Sequence, residues 1–262
     1  MTDALSDPEA AWKEWRARRD ARLRAPDGWL ALVGLHWLAE GENRVDGMPG
    51  VFAVRGREVT LRAGTEDGWR LGGAPVSEHV LRTDAEGDAD RLQLGTRIAT
   101  IVQRGPSLAI RVWDAASPAL RTFRGVEVFP FDPRWRVYAR WEPHASPRLE
   151  EQPSTAGPPQ RAVVPGRARF AIDGHELSLE PTLEAGGALQ FVFRDATALQ
   201  ETYGGGRFLA ARPPASGRVV LDFNRAYNPP CAFTEFATCP LASPGNVLPI
   251  RIEAGEKAPG VG

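Results

Sequence analysis

Residues 134–142 read RWRVYARWE. Trp135, Val137, Ala139 and Trp141 alternate with Arg134, Arg136, Tyr138, Arg140 and Glu142. Successive side chains of a strand leave opposite faces, so the run predicts a strand with one apolar and one charged face. The apolar face must cover a core. The charged face reads as solvated, in preference to the wall of a basic pocket.

The neighbours follow the same logic. Downstream, Ser146 to Pro159 is polar and proline-bearing and is expected to be a loop. Arg161–Val164, Ala168–Ile172, Glu176–Leu179, Leu189–Phe193, Arg207–Ala211, Arg218–Phe223 and Val247–Glu253 are expected strands. Asp173-Gly174 is a two-residue hairpin signal. Upstream, residues 51–113 hold short β-branched or alternating runs separated by glycines, the spacing of a meander. Trp29–Leu38 suits a buried strand or a tight buried turn, with His36 as a core histidine. Residues 6–25 predict one helix: Ser6 and Glu9 form a capping box, and Trp12, Trp15, Arg19 and Leu23 share a face. The arginines at 16, 18, 19, 22 and 24 read as a solvated face in preference to a site for an anionic partner. The expectation is a mostly β protein, an antiparallel sandwich or barrel with a capping N-terminal helix. Its parts are the helix (residues 1–26), a small β-sandwich-like part (27–117) and a larger antiparallel barrel or sandwich (118–262).

Composition narrows the partners. Thirty-two basic and 33 acidic residues leave a net charge of −1, without the basic surplus of a nucleic-acid reader. The longest apolar run is about ten residues, where a membrane span needs roughly twenty. No apolar leader precedes residue 28, so a cytoplasmic location and reduced thiols are expected. GxSxG, HExxH, Walker and dinucleotide-binding patterns are missing from the sequence. The sequence leaves any cofactor and the oligomeric state unknown.

The chemistry-bearing stretch is 222–257, DFNRAYNPPCAFTEFATCPLASPGNVLPIRIEAGEK. It holds both cysteines, Cys231 and Cys239, in a long segment without helical or strand period. Such segments inside a domain either work or are disordered, and Tyr227, Phe233, Phe236 and Leu241 argue for order. Asp222 and Asn224, two apart at a strand end, point to one side. Asn228-Pro229-Pro230 fixes an extended approach to Cys231. The cysteines are open to four readings: a nucleophile, a metal pair, a disulfide, or small buried packing residues. Residues 195–206 form a second loop, with Asp195, Thr197, Thr202, Tyr203 and three glycines before Arg207. Its glycines read as turn formers.

Two resemblances stand beside this reading. GENRV (41–45), VTLR (59–62), GWRLGGAPV (68–76) and RLQLGTRIATIV (91–102) resemble the strand-and-turn order of forkhead-associated β-sandwich domains. That resemblance implies a sandwich. Arg44 is a candidate for the family's phosphothreonine-binding arginine, but no serine stands in the expected loop, so the binding function is not carried over. WLALVGLHWLAEGEN (29–43), FRDATALQETYGGGRFL (193–209) and the 222–257 stretch together resemble the DUF1684 family. That family brings no assigned activity; the resemblance implies a shared core from about residue 120.

The leading functional expectation is a small polar or anionic molecule bound in a pocket walled by loops 222–246 and 195–206 and strand 134–142. Asp222, Asn224, Tyr227, Asn228, Cys231 and Arg207 would be its contacts. A cysteine-dependent enzyme using Cys231 or Cys239, with Asp222 as a further catalytic candidate, is the second. A non-catalytic interaction module is the third.

Overall fold

A computed structural model describes residues 7–155 and 159–260. Ser6 lies outside the described residues. The helix α1 (Pro8–Leu23) instead starts behind Asp7, whose carboxylate accepts from the Glu9 N–H at 3.0 Å. The chain divides into two compact units, one of residues 22–123, the other of residues 124–262 with the helix residues through Ala21.

The first unit contains β1 (Leu32–Leu38), β2 (Gly41–Val45), β3 (Met48–Arg55), β4 (Glu58–Arg62), β5 (Arg70–Leu71), β6 (Ala74–Pro75), β7 (Glu78–Leu81), β8 (Leu92–Leu94), β9 (Arg97–Arg104) and β10 (Ser107–Asp114), then the short helix α2 (Pro118–Thr122). The strands form two antiparallel sheets, ordered β1-β10-β9-β8-β5-β6 and β2-β3-β4-β7. One core joins them: Phe52, Val59 and Leu61 from one sheet meet Leu92, Ile101 and Ile110 from the other. Trp69 fills the middle, edge-on to Phe52 at 6.1 Å, with its indole N–H donating to the Pro49 carbonyl at 2.9 Å. Arg44 is exposed on β2.

The second unit holds β11 (Arg136–Gln152), β12 (Gln160–Ile172), β13 (His175–Leu179), β14 (Thr182–Leu183), β15 (Leu189–Phe193), β16 (Arg207–Ala211) and β17 (Arg218–Asp222). Its sheets run β13-β12-β11-β17 and β14-β15-β16, antiparallel throughout. The alternation in 134–142 does what its period requires: Tyr138 is 64% exposed and Ala139 is fully buried. Ala139, Phe170, Leu179, Phe191, Leu209, Leu221 and Phe223 build one core between the sheets. Both units are open sandwiches; among the described residues no sheet closes into a barrel. No helix among them is long and apolar enough to cross a membrane.

Three local expectations need correction. The first half of the expected loop at 146–159 continues β11 through Gln152, paired with β12. The pairing is interrupted between Pro143 and Arg148, where prolines fall at a bulge. Beyond it β11 is polar and largely exposed, its one apolar residue Leu149 included, so it carries no buried apolar face that periodicity can register. The second correction is Val247–Glu253, which is not a strand; only Val247 makes an isolated bridge, to Arg194. The third concerns α1, whose arginines are not all solvated. Arg16 donates to the Val126 carbonyl at 3.1 Å, and the Arg19 side chain is 14% exposed and ion-paired to Glu256 at 3.0 Å.

Candidate functional site

The irregular 247–256 segment needs backbone partners, because buried N–H and C=O groups left unpaired are costly. The backbone of residues 194 and 196 pairs with Leu248 and Ile250, and Arg207 and Asp195 serve the part from Ile252 onward. Arg207 enters the core from the first position of β16 and is 1% exposed. Its guanidinium donates to the carbonyls of Ile252 (2.9 Å), Ala254 and Glu256 (3.4 Å), and to Asp195 Oδ1 at 3.1 Å. Asp195 in turn accepts from the Ile252 N–H at 2.7 Å and from the Thr197 hydroxyl. A side-chain ion pair thus stands where a strand neighbour would be. Complete burial lowers the Arg207 pKa from its usual value, opposed by the charge of Asp195. Arg207 is committed to carbonyls and to Asp195.

A second set of polar residues ties down the start of the loop. Asn224 donates to Asp222 Oδ1 at 3.1 Å and to the Asp132 carbonyl at 2.9 Å, and accepts from the Asp132 N–H at 3.1 Å. Asp222 also pairs with Arg225 at 3.4 Å. So the expected meeting of Asp222 and Asn224 occurs, but it serves the approach of residue 132. Trp12 of α1 donates to the Asn224 carbonyl at 2.9 Å. The buried Glu256 carboxylate accepts from the Asn228 N–H at 2.7 Å and from Arg19. The Asn228 amide donates to the Lys257 carbonyl at 2.6 Å. Tyr227 donates to Gln190 Oε1 at 3.2 Å, and Arg19 lies 4.9 Å from its ring centre.

The remaining polar groups gather at the cysteines. Pro230–Ala232 makes one turn of 3-10 helix, as the two prolines before Cys231 permit. That turn directs the Cys231 N–H onto Cys239 Sγ at 3.2 Å. Cys239 is 3% exposed and Cys231 half-buried, and the two are not disulfide-bonded. Thr155 clamps Cys239: its hydroxyl accepts from the Cys239 N–H at 3.0 Å and donates to the Ala237 carbonyl at 3.0 Å, while its own N–H donates to the Cys239 carbonyl at 2.9 Å. Tyr203 arrives from the other loop, its hydroxyl donating to the Cys231 carbonyl at 3.2 Å.

The Cys231 thiol is lowered from its ordinary value to about 7. A hydrogen bond from the Cys239 thiol is the main cause; burial opposes it, and the Tyr203 and Thr155 hydroxyls add to it. Burial and the neighbouring Cys231 push the Tyr203 phenol up, so it stays protonated and remains a donor. No histidine or carboxylate is among the groups that lower Cys231. His79 lies instead 3.2 Å from Asp90, and His144 lies 3.5 Å from Glu180.

The glycines before Arg207 have a packing reason more than a turn reason. Only Gly206 has a positive φ, at 99°. A Cβ on Gly205 would lie 2.6 Å from Tyr203 Cε1, and one on Gly204 would lie 2.2 Å from Leu199 Cδ2. They let the Tyr203 ring lie flat over its own loop. Tyr203 and Thr155 were not expected as partners of the cysteines; both contacts span long sequence separations that spacing cannot signal.

A separate open cleft of about 300 Å³ lies on this unit, lined by Arg134, Trp135, Asp173, His175, Ile250, Arg251 and Glu253. Its walls are the start of β11, the β12–β13 turn and residues 250–253, not the two loops expected to wall a pocket. No cluster of three His, Cys, Asp or Glu side chains suited to a metal ion occurs among the described residues.

No curated protein matches this chain. The chain is similar to an uncharacterised protein of Haloarcula marismortui, solved by solution NMR, at 30% identity over 53% of this chain and 80% of that one, with a TM-score of 0.46. The family described as "Protein of unknown function (DUF1684)" matches residues 121–257, just over half of the sequence, which takes in Tyr203, both cysteines and the Asp195–Arg207 pair. The chain belongs to the DUF1684 family.

Proposed function

We propose that the loop end of the second unit is a thiol site for a small polar molecule, with Cys231 as the group that meets it. The observation that carries this reading is the environment of one sulfur: a half-buried thiol next to a second thiol and two hydroxyls. A cysteine nucleophile ordinarily draws its thiolate from an adjacent base. Here the neighbouring Cys239 thiol and the Tyr203 and Thr155 hydroxyls lower the thiol, so Cys231 is partly ionised near neutral pH without a histidine. Cys239, Tyr203 and Thr155 set its acidity. Asp222, Asn224, Tyr227, Asn228 and Arg207 belong to the same site as its scaffold, holding the loops that carry it.

The test is selective alkylation of the folded chain with iodoacetamide at pH 7, followed by peptide mass spectrometry. Faster labelling of Cys231 than of a small-molecule thiol, with Cys239 protected, supports the reading. Slow labelling at Cys231, or labelling of Cys239 first, ends it.

A further inference from the structure

Two thiols in contact, one reachable and one not, are the arrangement of an attacking and a resolving cysteine. We propose that Cys231 and Cys239 act as such a pair in thiol–disulfide exchange with a low-molecular-weight disulfide. The proposal rests on the reading of Cys231 as the reactive thiol and adds the substrate class and the role of its neighbour.

The geometry divides the roles. Cys239 is 3% exposed and held at its backbone by Thr155 on both sides, so an incoming disulfide cannot reach it. Cys231 is half-buried and so open on one side. The sulfur that can attack the Cys231 side of a mixed disulfide is therefore Cys239 Sγ, which already accepts the Cys231 N–H at 3.2 Å. The segment between them, Ala232 to Thr238, is an irregular turn with no ladder to break when the sulfurs draw together.

The exchange balances in two steps. The Cys231 thiolate attacks one sulfur of RSSR; a Cys231–SR bond forms, the S–S bond breaks, and RS⁻ leaves and takes a proton from solvent. Cys239, losing its proton, then attacks Cys231 Sγ; the Cys231–Cys239 bond forms and the second RS⁻ leaves. The net change is oxidation of the dithiol to a disulfide and reduction of RSSR to two RSH. An attacking thiol works best when its acidity matches ambient pH, which agrees with the environment of Cys231. The Tyr203 hydroxyl donates to the Cys231 carbonyl and so fixes the backbone that carries the attacking sulfur.

The experiment uses the full chain, reduced and desalted, with oxidised glutathione at pH 7.5 and intact-mass readout after acid quench. Wild type is expected to lose two hydrogens by closing the internal disulfide. Cys239→Ser is expected to stop with one glutathionyl group on Cys231, and Cys231→Ser to take up none. Stable glutathionylation of wild type overturns the proposal, as does attachment at Cys239. So does closure with hydrogen peroxide in the absence of any closure with oxidised glutathione. Failure here with rapid iodoacetamide labelling of Cys231 removes the pair and leaves the thiol site standing; failure of both removes both.

Discussion

The Asp195–Arg207 pair and the Cys231–Cys239 pair lie in the same unit, both among residues the sequence marks as chemically equipped, and they are put to opposite uses. Arg207 and Asp195 are each 1% exposed in their side chains, and their hydrogen bonds run to one another, to Thr197 and to the backbone of 252–256. Cys231 keeps an open side, and its thiol is lowered by Cys239, Tyr203 and Thr155. A charged residue at the mouth of a loop can be the loop's internal scaffold. A reactive group is recognised by what its surroundings leave undone.

The comparison breaks most visibly at Arg207. Arg207→Met removes the donors to three carbonyls and leaves Asp195 charged and buried. Loss of one partner of a buried pair costs about 3–5 kcal/mol. Chemical denaturation is expected to show a C-terminal unit unfolded or nearly so. Cys231→Ser, in contrast, is expected to shift stability by less than about 1 kcal/mol while abolishing thiol labelling. Equal effects of the two substitutions would remove the distinction.

Glu256 tests the seam between scaffold and site. It accepts from Asn228 and Arg19 while 3% exposed. Glu256→Gln keeps the shape but removes the charge, and is expected to cost about 1–3 kcal/mol in denaturant unfolding with the Cys231 labelling profile unmoved.

Tyr203→Phe is a gentler probe. It removes one hydroxyl that lowers Cys231, so the labelling midpoint is expected to rise above about 7. Gly205→Ala is expected to do the same, because its methyl displaces the Tyr203 ring. A shift of about one unit slows exchange at pH 7 by roughly twofold, since the loss of thiolate is partly offset by greater nucleophilicity.

The smallest effect is on stability. Cys231 ionises at about 7 when folded and at about 8.5 when unfolded. Between those values the folded chain holds fewer protons, so stability rises with pH and is lost as pH falls through about 7. The denaturation midpoint of wild type relative to Cys231→Ser is expected to be higher at pH 8.5 than at pH 6.5.

Sequence periodicity reached the sandwich because its signal is local. The 134–142 alternation, the Asp173-Gly174 turn and the runs of β9, β10 and β15 each report their own faces. It failed where local pattern and partner disagree. Val247–Glu253 alternates like a strand because Leu248 and Ile252 plug the core, yet its backbone meets the 194–196 backbone only briefly before the Arg207 and Asp195 side chains take over at Ile252. The far part of β11 has no buried face, so its polar composition reads as loop. The site was legible as a place, through Cys231 and its proline-fixed approach. Its chemistry depends on Thr155 and Tyr203, which stand 76 and 28 residues from Cys231 and meet it only through long-range packing.

The most direct measurement is the pH dependence of iodoacetamide labelling at Cys231, followed peptide by peptide from pH 5 to pH 10 on the folded wild-type chain. A rate that rises with a midpoint near 7, with Cys239 protected throughout, is the result expected. A midpoint at the ordinary thiol value, or no labelling until the chain unfolds, contradicts the claim that this loop holds a prepared thiolate.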